Sequence, residues 1–263
     1  MDIEKVVNSK WYSAFDWIYK LILMNMLTMI ISMLFGIVPF LLFLKTGFGI
    51  LVYIAIMLTI YGFIPCYITN LKVIKATSED KKSGVIKIYF IELWDSFKKT
   101  YLLGIIFEIV LSVLIYGGNV YWQYLESETF QMDIYGIVSI VGYWVVVMGV
   151  IFIVFAFMHL PFVITYFKMR VWTYIKASFF MSFKYFFKTL AFVFITILPF
   201  MLLILLAQNL MLIIITLIGF TGPQYLIYKI GRPTYWYLSH NISDIKTEDK
   251  YDFKGENDDE NWD

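Results

Sequence analysis

Long apolar stretches alternate with short polar ones along most of this chain. The first stretch runs from Leu21 to Leu44, the second from Phe48 to Thr69 and the third from Tyr101 to Tyr121. A hydrocarbon layer of about 30 Å is crossed by a helix of about 20 apolar residues. Each stretch therefore predicts one membrane-spanning helix.

The fourth apolar stretch, from Ile134 to Phe167, is longer than one straight span needs. It contains Pro161, and a proline inside a helix removes one backbone hydrogen bond and crowds the preceding turn. We expect the helix to break there and its last residues to bend into the membrane interface. Pro65 and Pro199 are expected to kink their own helices for the same reason.

Residues 189–228 carry no charge. As one helix they would extend about 60 Å, which is about twice the hydrocarbon thickness. Gln208 and Asn209 form an adjacent polar pair near the middle and predict a tight turn. This turn gives a fifth helix over Leu190–Ala207 and a sixth over Leu210–Tyr228.

The charges of the polar segments orient the predicted helices. Residues 70–100 contain seven lysines and residues 168–188 contain five basic residues, whereas residues 122–133 contain three acidic residues and no basic one. Cytoplasmic loops carry the excess of lysine and arginine. The pattern predicts that both termini lie in the cytoplasm.

Composition and charge then divide the chain into three parts. Apolar residues make up 60% and charged residues only 16%, against about 25% charged residues in soluble domains, which excludes the soluble globular class. We predict an all-α polytopic membrane bundle with six transmembrane helices at residues 21–232, preceded by a cytoplasmic segment at residues 1–20. Residues 233–263 form an acidic tail that is too poor in aliphatic residues to bury a core, so we expect it to be disordered.

Two predicted cytoplasmic stretches are amphipathic. In residues 90–99 and again in residues 171–188, mainly aromatic side chains repeat at helical spacing on one face. The other face carries acidic, serine and lysine side chains in the first stretch and lysines in the second. Such helices can lie in the plane of the membrane, although lysine-flanked ends of spanning helices give a similar pattern. The interfacial and basic residues predicted from these stretches are Trp94, Phe97, Lys98, Lys99, Lys176, Lys184 and Lys188.

Ionisable side chains inside a membrane are costly and are therefore candidates for function. Glu108 lies two turns into the predicted third helix, and His159 lies two residues before Pro161. Each also has a structural interpretation: Glu108 as a hydrogen-bonding group between helices, and His159 as a partner of a carbonyl that the proline leaves free. The candidate intramembrane polar site comprises Glu108, His159, Asn25, Gln208 and Asn209, of which Asn25 is also suited to bonding between helices.

The sequence contains no motif that predicts an enzyme. It has no phosphate-binding glycine loop, no H-E-x-x-H and no G-x-S-x-G pattern, and it has only two histidines and one cysteine. We therefore expect no catalytic residues, no cofactor, no metal site and no nucleic-acid partner. The expected surroundings are a lipid bilayer.

Residues 63–72 (FIPCYITNLK) and 93–104 (LWDSFKKTYLLG) resemble the YesL-like family of bacterial integral membrane proteins, a domain family of unknown function. Members have a proline at a helix end, a basic loop, and an aromatic and F-K-x-N/T pattern that opens the next helix. This chain departs from the family at residues 66–69, where Pro-Ala-Thr-Ala is more usual, and at Thr100, where asparagine is usual.

The resemblance implies a multi-pass protein of a bacterial plasma membrane. Because such proteins accompany carbohydrate uptake and breakdown systems, it also implies a non-enzymatic accessory subunit of an ABC-type sugar importer, with the sugar transporter permease as partner. The residues leave an alternative open, a small transporter or channel that uses Glu108 and His159, since interrupted helices commonly line transport sites.

Overall fold

The computed structural model describes residues 10–79, 84–127, 131–205 and 208–241. Within these ranges the chain folds into eight α-helices and contains no β-strand. The helices are α1 (Lys10–Thr46), α2 (Ile50–Ser78), α3 (Val85–Leu125), α4 (Ile134–Tyr166), α5 (Val171–Lys184), α6 (Phe186–Leu205), α7 (Gln208–Ile218) and α8 (Thr221–Asn241). The predicted all-α membrane bundle is confirmed.

Four of the described helices, α1 to α4, are each long and apolar enough to cross a membrane. The pairs α5–α6 and α7–α8 meet the same criterion when each pair is taken together, but they are bent by 100° and 54°. The described part of the chain therefore supplies four spans, or up to six if each bent pair is one span.

The helices extend beyond the apolar runs that predicted them. Helix α1 begins at Lys10, inside the predicted N-terminal segment, and α3 begins at Val85, well before Tyr101. Residues 90–99 are therefore part of a continuous long helix and not a separate amphipathic one. Helix α8 continues to Asn241, so residues 233–241 are helical, and the rest of the predicted tail lies outside the described residues.

The expected break at Pro161 is wrong. Helix α4 continues past this residue to Tyr166, and α2 and α6 likewise continue past Pro65 and Pro199. Pro65 and Pro161 are both buried, and packing against neighbouring helices can hold a proline-containing membrane segment helical. A kink at these prolines stays a prediction.

The breaks occur at positions without proline. Helices α5 and α6 meet at Tyr185, and α7 and α8 are separated by Gly219 and Phe220. The predicted sixth helix, Leu210–Tyr228, is thus α7 followed by the first turns of α8. The turn expected at Gln208 and Asn209 is wrong for these two residues, because both belong to α7.

The densest packing lies at the predicted cytoplasmic end of the bundle. In the second half of α2 the side chains at residues 64–74 are buried on every side of the helix. Tyr89 of α3, Phe162 of α4 and Tyr235 of α8 pack there with almost no exposed surface. Away from this end many apolar side chains, such as Val113 and Trp144, are exposed, as expected of helices that face lipid.

Candidate functional site

A pocket of about 260 Å³ lies where the ends of α2 and α4 meet the first turns of α3. We call it the lysine pocket, because four lysines line it together with two carboxylates. These charged residues are Lys72, Lys75, Lys99, Lys168, Glu92 and Asp95. They come from segments that the charge pattern places in the cytoplasm, so the pocket lies at the predicted cytoplasmic end.

Two of the lysines are held by the two carboxylates. Lys72 is only 7% exposed, and its Nζ lies 2.5 Å from Asp95 Oδ2 and 3.6 Å from Glu92 Oε2. Lys99 Nζ lies 2.8 Å from the same Asp95 oxygen. A buried ammonium group needs such partners because its desolvation is expensive. The two carboxylates are therefore committed to Lys72 and Lys99.

Lys75 and Lys168 have no carboxylate in ion-pair contact among the described residues. Lys75 Nζ lies 4.1 Å from the centre of the Tyr166 ring, which is a cation–π contact, and Lys168 is exposed. Four lysines against two carboxylates leave the lining with a net charge of +2. A concave site with this charge attracts anions.

A carboxylate next to the pocket binds three helices together. Glu79 Oε1 accepts hydrogen bonds from Tyr166 Oη at 3.0 Å, Tyr228 Oη at 2.7 Å and Arg232 Nε at 2.8 Å. Burial alone would raise the pKa of Glu79, but these donors and the charge of Lys75 outweigh it and hold the pKa below its ordinary value. We interpret this group as a clamp that joins the ends of α2 and α4 to the middle of α8.

Asn25 lies deeper in the bundle, where it closes the gap between α7 and α8. Its Nδ2 donates to the carbonyl oxygens of Ile215 at 3.2 Å and Thr216 at 2.7 Å, and its Oδ1 accepts from the backbone N–H groups of Phe220 at 3.0 Å and Thr221 at 3.3 Å. Interrupted helices leave such backbone groups without helical partners. The asparagine supplies those partners, which matches its predicted role between helices.

A second buried polar group joins α1, α2 and α3. Asn70 Nδ2 donates to Thr28 Oγ1 at 3.0 Å, and Thr28 Oγ1 lies 3.1 Å from Tyr89 Oη. All three side chains are fully buried. Gln224 of α8 adds a hydrogen bond from its Nε2 to the backbone carbonyl of Tyr67.

His159 is buried and its two ring nitrogens both have side-chain partners. Nδ1 lies 2.5 Å from Tyr235 Oη, and Nε2 lies 2.8 Å from Thr189 Oγ1. The partners are hydroxyl groups of α8 and α6, not the proline-freed carbonyl considered from the sequence. His159 thereby connects three helices.

Glu108 lies on the face of α3 that packs against α2. One turn earlier, a Cβ added at Gly104 would stand 3.1 Å from the Tyr61 ring, and one turn later Ser112 Oγ donates to Met57 Sδ at 3.5 Å. Glu108 Oε1 is buried and has no hydrogen-bond partner among the described residues, while the backbone of Tyr61 bonds to the same carboxyl group. Its neighbours differ from those of His159, so the structure does not unite these two candidates in one site. The side chains of Gln208 and Asn209 lie outside the described residues.

The interfacial residues on α3 divide between surface and interior. Trp94 is 66% exposed, and Lys98 Nζ lies 5.5 Å from the centre of its ring. Phe97 instead turns inward and stacks on Phe35, with ring centres 5.5 Å apart.

On α5 the expected separation of aromatic and lysine faces is wrong. Lys176 is exposed between Trp172 and Phe180, four residues from each, so all three share one face. Lys184 Nζ lies 5.9 Å from the centre of the Phe180 ring, whereas Lys188 at the start of α6 donates to Thr234. A mixed aromatic and lysine face also suits the headgroup level of a membrane.

Comparisons with protein-family models, with curated proteins and with solved structures found no match to this chain. The resemblance to the YesL-like family therefore depends on the residues quoted above. Among the described residues, no group of three or more His, Cys, Asp or Glu side chains is placed to hold a metal ion.

The lysine pocket and the Glu79 clamp were not predicted as sites. The basic loop at residues 70–100 was recognised, but only as an indicator of topology. Lys72 and Asp95 are 23 residues apart in the chain, and the sequence does not show that they meet. The available signal was the spacing of Asp95 and Lys99, which are four residues apart and therefore lie on one face of a helix. That spacing counts only because residues 90–99 belong to the long helix α3.

Proposed function

We propose that this protein is a non-enzymatic accessory subunit of a bacterial carbohydrate uptake system of the ABC type. The supporting observation is that buried polar side chains hold the bundle together. Asn25, Asn70 and His159 each bond to other helices, so these groups are not free to bind a transported solute. The family resemblance supports the carbohydrate system and the bacterial plasma membrane.

The surface around Trp94 is the part that we expect to contact the partner permease. Trp94 and its neighbours Phe90 and Ile91 on α3 are each at least half exposed, at the predicted cytoplasmic end. Exposed aromatic side chains are enriched in protein interfaces and often dominate their binding energy. Contact at this end would let the subunit respond to the cytoplasmic side of an importer.

Photo-crosslinking in native membranes tests the proposal. Trp94 is replaced by p-benzoylphenylalanine, and Val113, which is 65% exposed on the same helix, is replaced in a matched control. We expect irradiation to join position 94 to a transporter permease and position 113 to lipid alone. The proposal would be contradicted if both positions gave the same crosslinked species. It would also be contradicted if position 94 crosslinked only to other copies of this chain.

The alternative, a small transporter or channel, is favoured by one observation. Glu108 Oε1 is buried without a partner among the described residues, and such a carboxyl group can carry protons across a membrane. Proton flux into reconstituted vesicles under an imposed potential measures this activity. We expect Glu108→Gln to abolish the flux and Glu126→Gln to preserve it. Flux no higher than in protein-free vesicles would exclude the alternative.

A further inference from the structure

An apolar groove of about 170 Å³ lies between α3, α4 and α5, next to the lysine pocket on the membrane side. Residues of α3 and α4 line both the groove and the lysine pocket. Leu103 of the groove follows Lys99 of the pocket by one helical turn, and Leu160 of the groove precedes Ile164 of the pocket by one turn. Because α3 and α4 run in opposite directions here, both steps lead away from the charged end towards the membrane interior.

Ser178 of α5 is an unpartnered polar group in this groove. Its side chain is 1% exposed and lines the groove, and its hydroxyl has no hydrogen-bond partner among the described residues. A buried hydroxyl without a partner is unfavourable by about 1–3 kcal/mol. A bound molecule with a carbonyl oxygen at this depth would accept its hydrogen bond once the Ser178 side chain rotates towards the groove.

We propose that the lysine pocket and the apolar groove together bind one anionic phospholipid from the predicted cytoplasmic leaflet. The phosphate lies between Lys75 and Lys168, which form no direct ion pair with a carboxylate among the described residues. An ester carbonyl accepts a hydrogen bond from Ser178, and one acyl chain occupies the groove. This inference does not depend on the accessory role proposed above.

Size and position favour a lipid over a soluble phosphate compound. The pocket of about 260 Å³ is smaller than the roughly 300–1,000 Å³ typical of sites for drug-sized ligands, so it suits a headgroup phosphate better than a whole nucleotide. A soluble phosphate would leave the groove empty and Ser178 without a partner. Basic pockets between helices on the cytoplasmic side are also where anionic headgroups bind.

Native mass spectrometry of the full chain, released from detergent, tests the proposal with dioleoyl phosphatidylglycerol. We expect one retained molecule and a preference of about 30-fold over dioleoyl phosphatidylcholine, because each lysine near an anionic headgroup contributes roughly a fivefold preference. Lys75→Gln with Lys168→Gln should remove the preference. The control, Lys176→Gln with Lys184→Gln, removes the same charge from exposed sites on α5 and should retain it.

Single variants separate binding from folding. Lys168 is exposed, so Lys168→Gln should leave the fold intact and weaken phosphatidylglycerol binding about fivefold. Ser178→Ala should weaken binding of both phospholipids a few-fold, because its partner is an ester group that both contain. Ala156→Phe, which fills the groove, should weaken long-chain lipid without affecting glycerol 3-phosphate.

Three results would overturn the proposal. Equal retention of phosphatidylcholine and phosphatidylglycerol would remove the role of the lysines. If Lys75→Gln with Lys168→Gln and the control Lys176→Gln with Lys184→Gln lost equal amounts of phosphatidylglycerol preference, the preference would come from general surface charge. Binding of inorganic phosphate or glycerol 3-phosphate as tight as that of phosphatidylglycerol would identify a soluble phosphate ligand instead.

Discussion

Single polar side chains in this bundle each satisfy several partners on other helices. Asn25 serves four backbone groups at the gap between α7 and α8, and Glu79 accepts three hydrogen bonds from two other helices. Unpaired polar groups in an apolar interior are strongly unfavourable. The stability of the bundle should therefore depend on a few polar residues far more than on an average apolar one.

Asn25→Ala should lower the free energy of unfolding by about 2–4 kcal/mol, because several buried backbone groups lose their only side-chain partner. The measurement is thermal unfolding in detergent, followed by circular dichroism. Ser32→Ala is the matched control, since this buried hydroxyl bonds only to carbonyls of its own helix. Equal losses in the two variants would show that Asn25 does not hold the gap.

Glu79 should make stability depend on pH on the acid side. Its pKa is lowered in the folded protein, so the unfolded chain takes up the proton first as pH falls. The stabilisation is complete above the ordinary glutamate pKa of about 4.5 and is lost as pH falls through the lower folded value. Glu79→Gln should remove this part of the acid-side slope.

The measurement for Glu79 is the unfolding temperature in detergent as a function of pH. Glu126→Gln, at the opposite end of α3, is the control and should keep the profile of the wild-type protein. An unchanged acid-side slope in Glu79→Gln would show that the clamp does not contribute.

The sharp bend between α5 and α6 is held by hydrogen bonds of one side chain, Thr189. Thr189 Oγ1 donates to the carbonyl of Ser182 at 2.8 Å and lies 2.8 Å from His159 Nε2, so it links α6 to both α5 and α4. The chain turns by 100° at this point. Helix α5, with its exposed aromatic and lysine face, can thereby lie along the membrane surface while α6 enters the membrane.

Thr189→Val should loosen this bend and lower the free energy of unfolding by about 1–3 kcal/mol, because it leaves His159 with one partner fewer. Spin labels at positions 176 and 194, both exposed, report the angle through their distance distribution. Cys66 is buried and should stay unlabelled.

The expected result is a broader distance distribution in the Thr189→Val protein. Thr196→Val serves as the comparison, because that hydroxyl bonds to its own helix and to a methionine sulfur. Distributions that are the same in both variants would assign the bend to backbone packing alone.

At the scale of the whole molecule, charge and tight packing coincide at one end. The lysine pocket, the Glu79 clamp and the most buried aromatic residues all lie where α2 and α4 end and α3 begins. The other end exposes apolar side chains such as Ile134. The charge pattern predicts that the packed end faces the cytoplasm.

Cysteine accessibility tests this orientation. Met132 lies before α4 and is 76% exposed, and Lys98 is exposed near the lysine pocket. Each is replaced by cysteine in a separate variant. We expect a membrane-impermeant maleimide to label position 132 in intact cells and position 98 only after permeabilisation. Labelling of position 98 in intact cells would reverse the predicted topology.

Much of the fold could be predicted because lipid imposes a simple rule. Backbone polar groups in hydrocarbon must be paired within a helix, so apolar runs of sufficient length at α1 to α4 predict helices without knowledge of their neighbours. Helix ends were less predictable. Residues 70–78 and 85–99 contain several charged side chains, yet they are helical, and Lys72 pairs with Asp95 across the α2–α3 contact.

The candidate site was predicted only in part. Asn25 and His159 were recognised because a polar residue inside an apolar run is conspicuous by itself. Their partners, the backbone around Gly219 for Asn25 and the hydroxyls of Thr189 and Tyr235 for His159, come from distant segments. A sequence shows which group needs a partner, but packing decides which group supplies it.

The sequence by itself determined the class of protein, the positions of the apolar helices and the expected orientation, because these depend on local hydropathy and on the charge of each loop. Only the tertiary structure decided where the helices bend, which lysines have carboxylate partners and which face a pocket without one. Those outcomes depend on contacts between residues that are far apart in the chain, and local sequence patterns do not encode such contacts.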